Sequence, residues 1–473
     1  MSPHGTPALL ENRCYDELAL GDSASLTRTL TKEDIELFAI LSGDVNPAHL
    51  DEAYAQGTPF HKVIAHGMWG GTLISTVLGT RLPGPGTIYV GQQLRFVRPV
   101  GLGDVITVTV TVKEKRDKHM VLLDCLCTNQ DGKPVITGEA EVMAPTVKVI
   151  REPTPLPELR LNHHTRFTEL MRLASEQPTI RCAVVWPFDA ASLNAALDAA
   201  SAKLITPVLV GVRAQIEDLA KGLALDLSAC DWVEAPTPNA AAWHAVTLAR
   251  EGDVAAIMQG HIPMDSLMQA ASAREDGLLT HRRISHAYVA DVPGYPRPFI
   301  ITDAALHVQP SLEDKRDIVQ NAIDLARVLG FEPPRVAILS AAPGITSVLS
   351  SSMDAAALCK MLERHQIAGG IVDGPLGFDA AVNEAVAKVR HPDSPVAGQA
   401  NVLVVPNLET GDMLVKQLTF LAEADVASIV LGAQVPIILI DSTDSPRTRV
   451  ASAALAVMLS TAHGELRTAQ SSN

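Results

Sequence analysis

Long apolar runs are absent: no unbroken stretch reaches the roughly 20 residues that a bilayer-spanning helix needs, so a membrane helix is not expected. Positive charge is in short supply, 38 Lys and Arg against 53 Asp and Glu, a net of −15. A field of that sign repels polyphosphate, which excludes nucleic acid as a general partner but not a local basic pocket for an anionic cofactor such as coenzyme A. Cysteine is sparse, six residues at 14, 125, 127, 182, 230 and 359, with no C-x-x-C pair. That rules out a disulfide scaffold and favours free buried thiols. Cys125 and Cys127 share one face of a strand-like run and lack a second ligand pair, which makes a poor zinc site, and no metal is expected for the chain. The segment from Met1 to His4 has no basic stretch leading into an apolar core, so no secretory signal is expected and the cytoplasm is the default location.

What is present is a long, moderately apolar chain, 473 residues with 47% hydrophobic and 19% charged. At about 150 residues per domain this is two or three soluble domains with sizeable cores. From Thr87 to Ala144 the pattern has period two: Val105, Thr107, Thr109 and Thr111 alternate with Ile106, Val108, Val110 and Val112, the signature of an antiparallel strand. His119 to Asn129 and Pro134 to Met143 read as two more strands joined through Asn129-Gln130-Asp131-Gly132, where Asp-Gly supplies the positive φ of a hairpin turn. Gly67 to Leu78 reads as a helix apolar nearly all round, hence buried. A buried helix wrapped by a curved antiparallel sheet is a hot-dog arrangement, so residues 1–150 are expected to form an α+β hot-dog domain.

Three prolines at alternate positions, Pro153, Pro155 and Pro157, predict a stiff extended connector over 151–165. Beyond it, over 166–473, short β runs alternate with helical segments: 182–186, 208–210, 254–258, 299–301, 336–340, 402–405 and 437–440. That alternation predicts a largely parallel α/β sheet, and its length predicts two subdomains with a cleft. One helix is well marked, with Ser311 and Asp314 as a capping box and Gly330 at its end.

The most specific stretch is Ser42-Gly43-Asp44-Val45-Asn46-Pro47-Ala48-His49-Leu50-Asp51, followed by Phe60 and Ile64-Ala65-His66-Gly67-Met68. It resembles the MaoC-like (R)-specific enoyl-CoA hydratases over about residues 25 to 145. The resemblance implies that Asp44 and His49 are the catalytic pair. Hydrating a 2-enoyl thioester needs a base for water attacking C3 and an acid for C2, and a carboxylate with an imidazole can share those tasks. It also needs donors for the charge developing on the thioester oxygen, a role suited to the free amides where the Gly67 helix begins. Gly67 leaves room for close approach there, Thr72 stands where the family tends to place a small polar residue that steadies the pair, and His66 is either a substrate-side group or a packing residue. His61, next to Lys62, reads as surface.

The second half is similar to the phosphate acetyltransferase and phosphate butyryltransferase family. The likeness rests on Val289 to Gly294, Thr302-Asp303-Ala304-Ala305, Lys315 to Ala322, Asp373 to Asp379 and Ser394 to Gly398. It implies acyl transfer between coenzyme A and phosphate at loops that include Asp303, His307, Ser442 and Asp444. Where relatives present Ser-Arg, a small residue and Asp-Ser, this chain has Asp441-Ser442-Thr443-Asp444-Ser445. Exchanging a phosphate-binding guanidinium for a neighbouring carboxylate repels phosphate at a cost of several kcal/mol, and Arg447 and Arg449 either compensate or are surface charges. His307, Asp412 and Ala341-Ala342-Pro343 depart from the family in other carboxyl-end loops. Three readings follow for this half: a phosphate acyltransferase, a transferase with a different acceptor, or a non-enzymatic acyl-CoA-binding scaffold. Both halves point to acyl-CoA thioesters, and both families tend to oligomerise, so a homo-oligomer is expected.

Overall fold

A computed structural model describes residues 9–155, 165–441 and 443–471, and the chain packs into two compact units, Met1–Leu161 and Asn162–Asn473. Most of the connector expected over 151–165 lies outside the described residues. Its first residue is not extended linker: Arg151 ends a short strand that pairs back onto the start of the unit.

The first unit contains β1 (Leu10–Glu11), β2 (Ser23–Thr29), β3 (Ile88–Phe96), β4 (Val105–Arg116), β5 (Met120–Thr128), β6 (Pro134–Met143) and β7 (Ile150–Arg151). Five of these form an antiparallel sheet in the order β2-β4-β5-β6-β3, and β1 pairs with β7. Period two in β4 sets the layers directly. Ile106, Val108, Val110 and Val112 face the core, while Thr107 and Thr109 point outward and meet Thr27 and Ser25 of β2 at 3.0 and 3.1 Å. β5 returns as β6 through a turn in which Gly132 has φ +73° and donates its amide to Asn129. Helix Gly67–Thr80 lies on the inner face of the sheet with Trp69, Leu73, Ile74, Val77 and Leu78 buried. This is the expected hot-dog arrangement, with one difference: Met68, Thr72, Ser75 and Thr76 form an exposed stripe, so the helix is not covered all round. Gly70 lets it approach β6, since a Cβ there would stand 2.3 Å from the tip of Ile136.

The second unit holds one sheet of eleven strands: β8 (Ile180–Val185), β9 (Ile205–Gly211), β10 (Asp231–Glu234), β11 (Ala256–Gln259), β12 (Ser285–Asp291), β13 (Phe299–Thr302), β14 (Arg335–Leu339), β15 (Ile371–Leu376), β16 (Val402–Val404), β17 (Asp425–Leu431) and β18 (Ile437–Ile438). Their order is β10-β9-β8-β11-β18-β17-β12-β13-β16-β14-β15. Three antiparallel joints, β18 to β17, β17 to β12 and β12 to β13, separate two parallel halves. One face is covered by a core that runs across both halves, from Cys182 and Val184 to Val336 and Val404. The other face carries two separate cores, one around Ala183, Val185 and Ile257, the other around Ile301, Ala337 and Leu403. Those two cores are the two subdomains. Helix Leu312–Val328 starts with the expected capping box, Ser311 Oγ accepting the Asp314 amide at 3.2 Å and Asp314 accepting the Ser311 amide at 3.0 Å. No helix among the described residues is long and apolar enough to cross a membrane.

Candidate functional site

In the first unit the polar run is folded by local caps. Helix Lys32–Ser42 is ended by Gly43 at φ +74°, a left-handed conformation that glycine adopts without penalty. Asp44 then accepts the Asn46 amide at 3.2 Å, and the Asn46 side chain caps the short helix Pro47–Leu50 through the Ala48 amide at 3.1 Å. That helix carries His49, whose Nδ1 lies 2.8 Å from the Ile64 carbonyl. A carbonyl only accepts, so Nδ1 carries the proton and Nε2 keeps its lone pair. His66, 3% exposed, stands at the N-cap position of the Gly67–Thr80 helix without a side-chain cap bond and places Nε2 3.0 Å from the Asp44 carbonyl. By the same reasoning its Nδ1 is the unprotonated nitrogen, and it is buried without a hydrogen-bond partner. One ligand-type atom each from Asp44, His49 and His66 lies within 4.8 Å of the others, and the two imidazole rings are 4.0 Å apart.

Beside this trio is a cavity of about 360 Å³ lined mainly by apolar groups, among them Phe60, Ile64, Trp69, Phe96, Val100 and Ile136. Gly67 also lines it, and a Cβ there would only touch the Phe96 ring at 3.6 Å. The fold therefore does not demand this glycine, and its value is the open space before the helix-start amides. Thr72 is not brought to the pair: it is exposed, and its hydroxyl is spent on the Trp69 carbonyl at 2.7 Å. His61 is exposed, as expected of a surface residue.

In the second unit, Asp303 follows β13 and is 2% exposed. Its Oδ1 accepts the amides of Ala305 and Leu306 at 3.0 and 2.9 Å, and its Oδ2 accepts the His286 amide at 3.1 Å and lies 2.8 Å from His307 Nδ1. Burial pushes this carboxyl up, but the hydrogen bond from His307 and those from the loop amides outweigh it and hold the group below its usual range. His307 is correspondingly raised, first by its hydrogen bond to Asp303. Asp303 is therefore a fully engaged anchor of its loop, with His307 presenting the free Nε2. His286 is pushed down to about 4 by burial, which the Asp303 charge only partly opposes.

After β18, Asp441 accepts the Thr443 amide at 2.8 Å, and Asp444 accepts the Asp441 amide at 2.9 Å. Ser442 lies outside the described residues. Burial raises Asp444, while the amide and hydroxyl of Thr443 lower Asp441. The Tyr288 hydroxyl is held well above its range by burial and then by the charges of Asp444, Asp412 and Asp441. Two residues that sequence reasoning missed stand at neighbouring strand ends: His261 Nδ1 is 2.9 Å from Asp189 Oδ2, beside a cavity of about 340 Å³ that reaches Ile440. Their signal was position, each being a polar residue just past the carboxyl end of a parallel strand. A larger cavity of about 410 Å³, lined by Thr280, Asn321 and Gly432, opens at the amino ends of β12 and β18.

Comparison with known proteins matches both units. Residues 237–457 match the family described as phosphate acetyl/butaryl transferase, and residues 21–123 match a MaoC like domain. The phosphate acetyltransferase of Rhizobium meliloti is 48% identical over 294 residues, 62% of this chain and 93% of that protein. The chain belongs to the phosphate acetyl/butyryl transferase family. Its first unit carries a MaoC-like domain fused ahead of the transferase-like one. Among solved structures, a branched-chain phosphotransacylase from Enterococcus faecalis V583 is 26% identical with a TM-score of 0.53, covering 60% of this chain and 99% of that one. An R-hydratase from Pseudomonas aeruginosa is 49% identical with a TM-score of 0.32, covering 33% of this chain and 99% of that one.

Proposed function

We propose that the first unit adds water to 2-enoyl-CoA to give (R)-3-hydroxyacyl-CoA, or runs the reverse dehydration, with Asp44 and His49 as the catalytic pair. The observation that carries this is the convergence of a carboxylate and an imidazole with a free Nε2 beside an apolar cavity and a helix start. Water held by Asp44 and His49 Nε2 attacks C3. One of its protons passes to the pair and one proton is delivered to C2, so the net change is addition of H and OH across the double bond. The helix-start amides at Gly67 hold the enolate oxygen that forms between the two steps, and Phe60, Trp69, Phe96 and Ile136 receive the acyl chain. Asp44→Ala or His49→Ala is expected to lower crotonyl-CoA hydration by at least about a hundredfold with an unchanged circular dichroism spectrum. Full activity in either variant would sink the assignment.

For the second unit we propose acyl-CoA binding at the carboxyl-end loops, with transfer to phosphate as the first reading because relatives of high identity are named phosphate acetyltransferase. A second reading, binding without turnover, is favoured by Ser442 where relatives carry arginine and by the carboxylate of Asp441 beside it, whose amide is bonded to Asp444. Arg447 does not stand free to replace that cation, since Nε lies 2.9 Å from Asp425, and Arg449 reaches the Ala191 carbonyl at 3.2 Å. Acetyl phosphate or butyryl phosphate with coenzyme A decides: brisk acyl-CoA formation supports transfer, whereas tight binding of acetyl-CoA without turnover supports the scaffold.

We further propose a homo-oligomer in the cytoplasm. Exposed Ile88, Val90 and Phe96 on the edge strand β3 support pairing with a second copy, and six free cysteines fit a reducing compartment.

A further inference from the structure

We propose that Asp44, His49 and His66 bind a divalent transition-metal ion of the zinc type, and that the bound ion inhibits hydration by occupying the acid–base pair. Only the inhibitory half rests on the hydratase reading; the site itself rests on the donor set. Both histidines already give one ring N–H to a backbone carbonyl, His49 to Ile64 at 2.8 Å and His66 to Asp44 at 3.0 Å. That is the support which metal-ligating histidines typically have, because it fixes the tautomer and makes the other nitrogen a better donor. What remains on each ring is a lone pair, and the one on His66 Nδ1 is buried with nothing to accept from. Asp44 Oδ1 takes the Asn46 amide, which leaves Oδ2 for an ion.

The geometry is close to what an ion requires. One ring nitrogen or carboxylate oxygen from each of the three residues lies within 4.8 Å of the others, whereas a tetrahedral ion with bonds of about 2.1 Å holds its ligands about 3.4 Å apart, so the site must contract on binding. The His66 ring packs 4.9 Å from Phe38 and 4.0 Å from His49, centroid to centroid, and since two imidazoles on one tetrahedral ion stand about 5 Å apart, the His49 ring on its four-residue helix has to open on binding. Asp44 is exposed and closes the gap by rotating its side chain. The neighbouring cavity leaves a fourth position for water. Two imidazoles and one carboxylate select zinc, cobalt or nickel rather than magnesium or calcium, which prefer an all-oxygen set. The sequence reading expected no metal; the fold sets one donor each from residues 44, 49 and 66 close together.

The test is titration of the full-length protein with cobalt(II), read by visible absorption and needing no turnover. One equivalent is expected to give the intense bands of a four- or five-coordinate ion, abolished by zinc or EDTA. Asp44→Asn and His66→Gln are each expected to weaken binding by at least about tenfold. The glutamine retains a donor toward the Asp44 carbonyl, and if that variant fails to fold, Asp44→Asn alters only an exposed side chain and carries the test. No intense band at millimolar cobalt, or affinity unchanged in Asp44→Asn, overturns the site. Zinc is expected to stop crotonyl-CoA hydration at the concentration that displaces cobalt, with EDTA restoring it; undiminished hydration with zinc bound overturns the inhibition. A cobalt site in a protein that hydrates nothing would leave the site standing and remove the hydratase reading instead.

Discussion

At the residue scale, function turns on which nitrogen of a histidine is free. His49 and His66 each lose one nitrogen to a backbone carbonyl and keep the other for chemistry. His307 does the same against Asp303, and there the consequence is a pH dependence of stability. His307 is raised in the folded state, so its contribution is fully present below the unfolded value of about 6.5 and is lost as pH rises through the folded value. Asp303 is depressed, so its contribution is present above the unfolded value of about 3.9 and is lost as pH falls through the folded one. Stability from this pair is therefore greatest between the two unfolded values, about 3.9 and about 6.5, and falls away on either side. Asp303→Asn is expected to bring the His307 titration, followed by NMR, down toward the ordinary range and to flatten the pH dependence of urea unfolding on either side of that window. An unmoved His307 would show that the hydrogen bond is not what raises it.

At the scale of elements, much was legible because the pattern and the burial have the same period. The alternation in β4, the Asp-Gly turn into β6 and the Ser311–Asp314 cap were all readable before folding. β12 and β17 were not. Ser285–Asp291 carries His286 and Tyr288 inside the sheet, and Asp425–Leu431 is an apolar run that reads equally well as helix, so neither announces a strand. Both are recognisable only through the antiparallel partners that cover them. Two substitutions probe these elements. Ser311→Ala removes the cap of helix Leu312–Val328 and is expected to cost about 1 kcal/mol by denaturant unfolding. Gly138→Ala is expected to cost about 3 kcal/mol or more: Gly138 has φ +158°, and a Cβ there would stand 2.0 Å from the Gln93 carbonyl oxygen, driving β6 off β3.

At the scale of the whole molecule, two units that each point to coenzyme A thioesters are joined in one chain, and the apolar edge of β3 predicts association. Light scattering after size exclusion is expected to give a multiple of 50.3 kDa, and Val90→Lys on β3 is expected to shift it toward the monomer; a monomeric wild-type protein would refute the pairing. The sequence by itself determined the fold class of both halves, because strand period and turn chemistry are local, while Asp44 and His49 were pointed to by the resemblance of their polar run to the MaoC-like hydratases. It could not place Thr72, which needs the exposure of a helix face, nor assign Asp303 to its own loop rather than to substrate, which needs the hydrogen bonds to His286, Ala305, Leu306 and His307. The Asp189–His261 pair, 72 positions apart, and the unsatisfied Nδ1 of His66 belong to the tertiary structure alone. Hydrogen-bond partners and burial are set by segments distant in the chain, and no local pattern carries them.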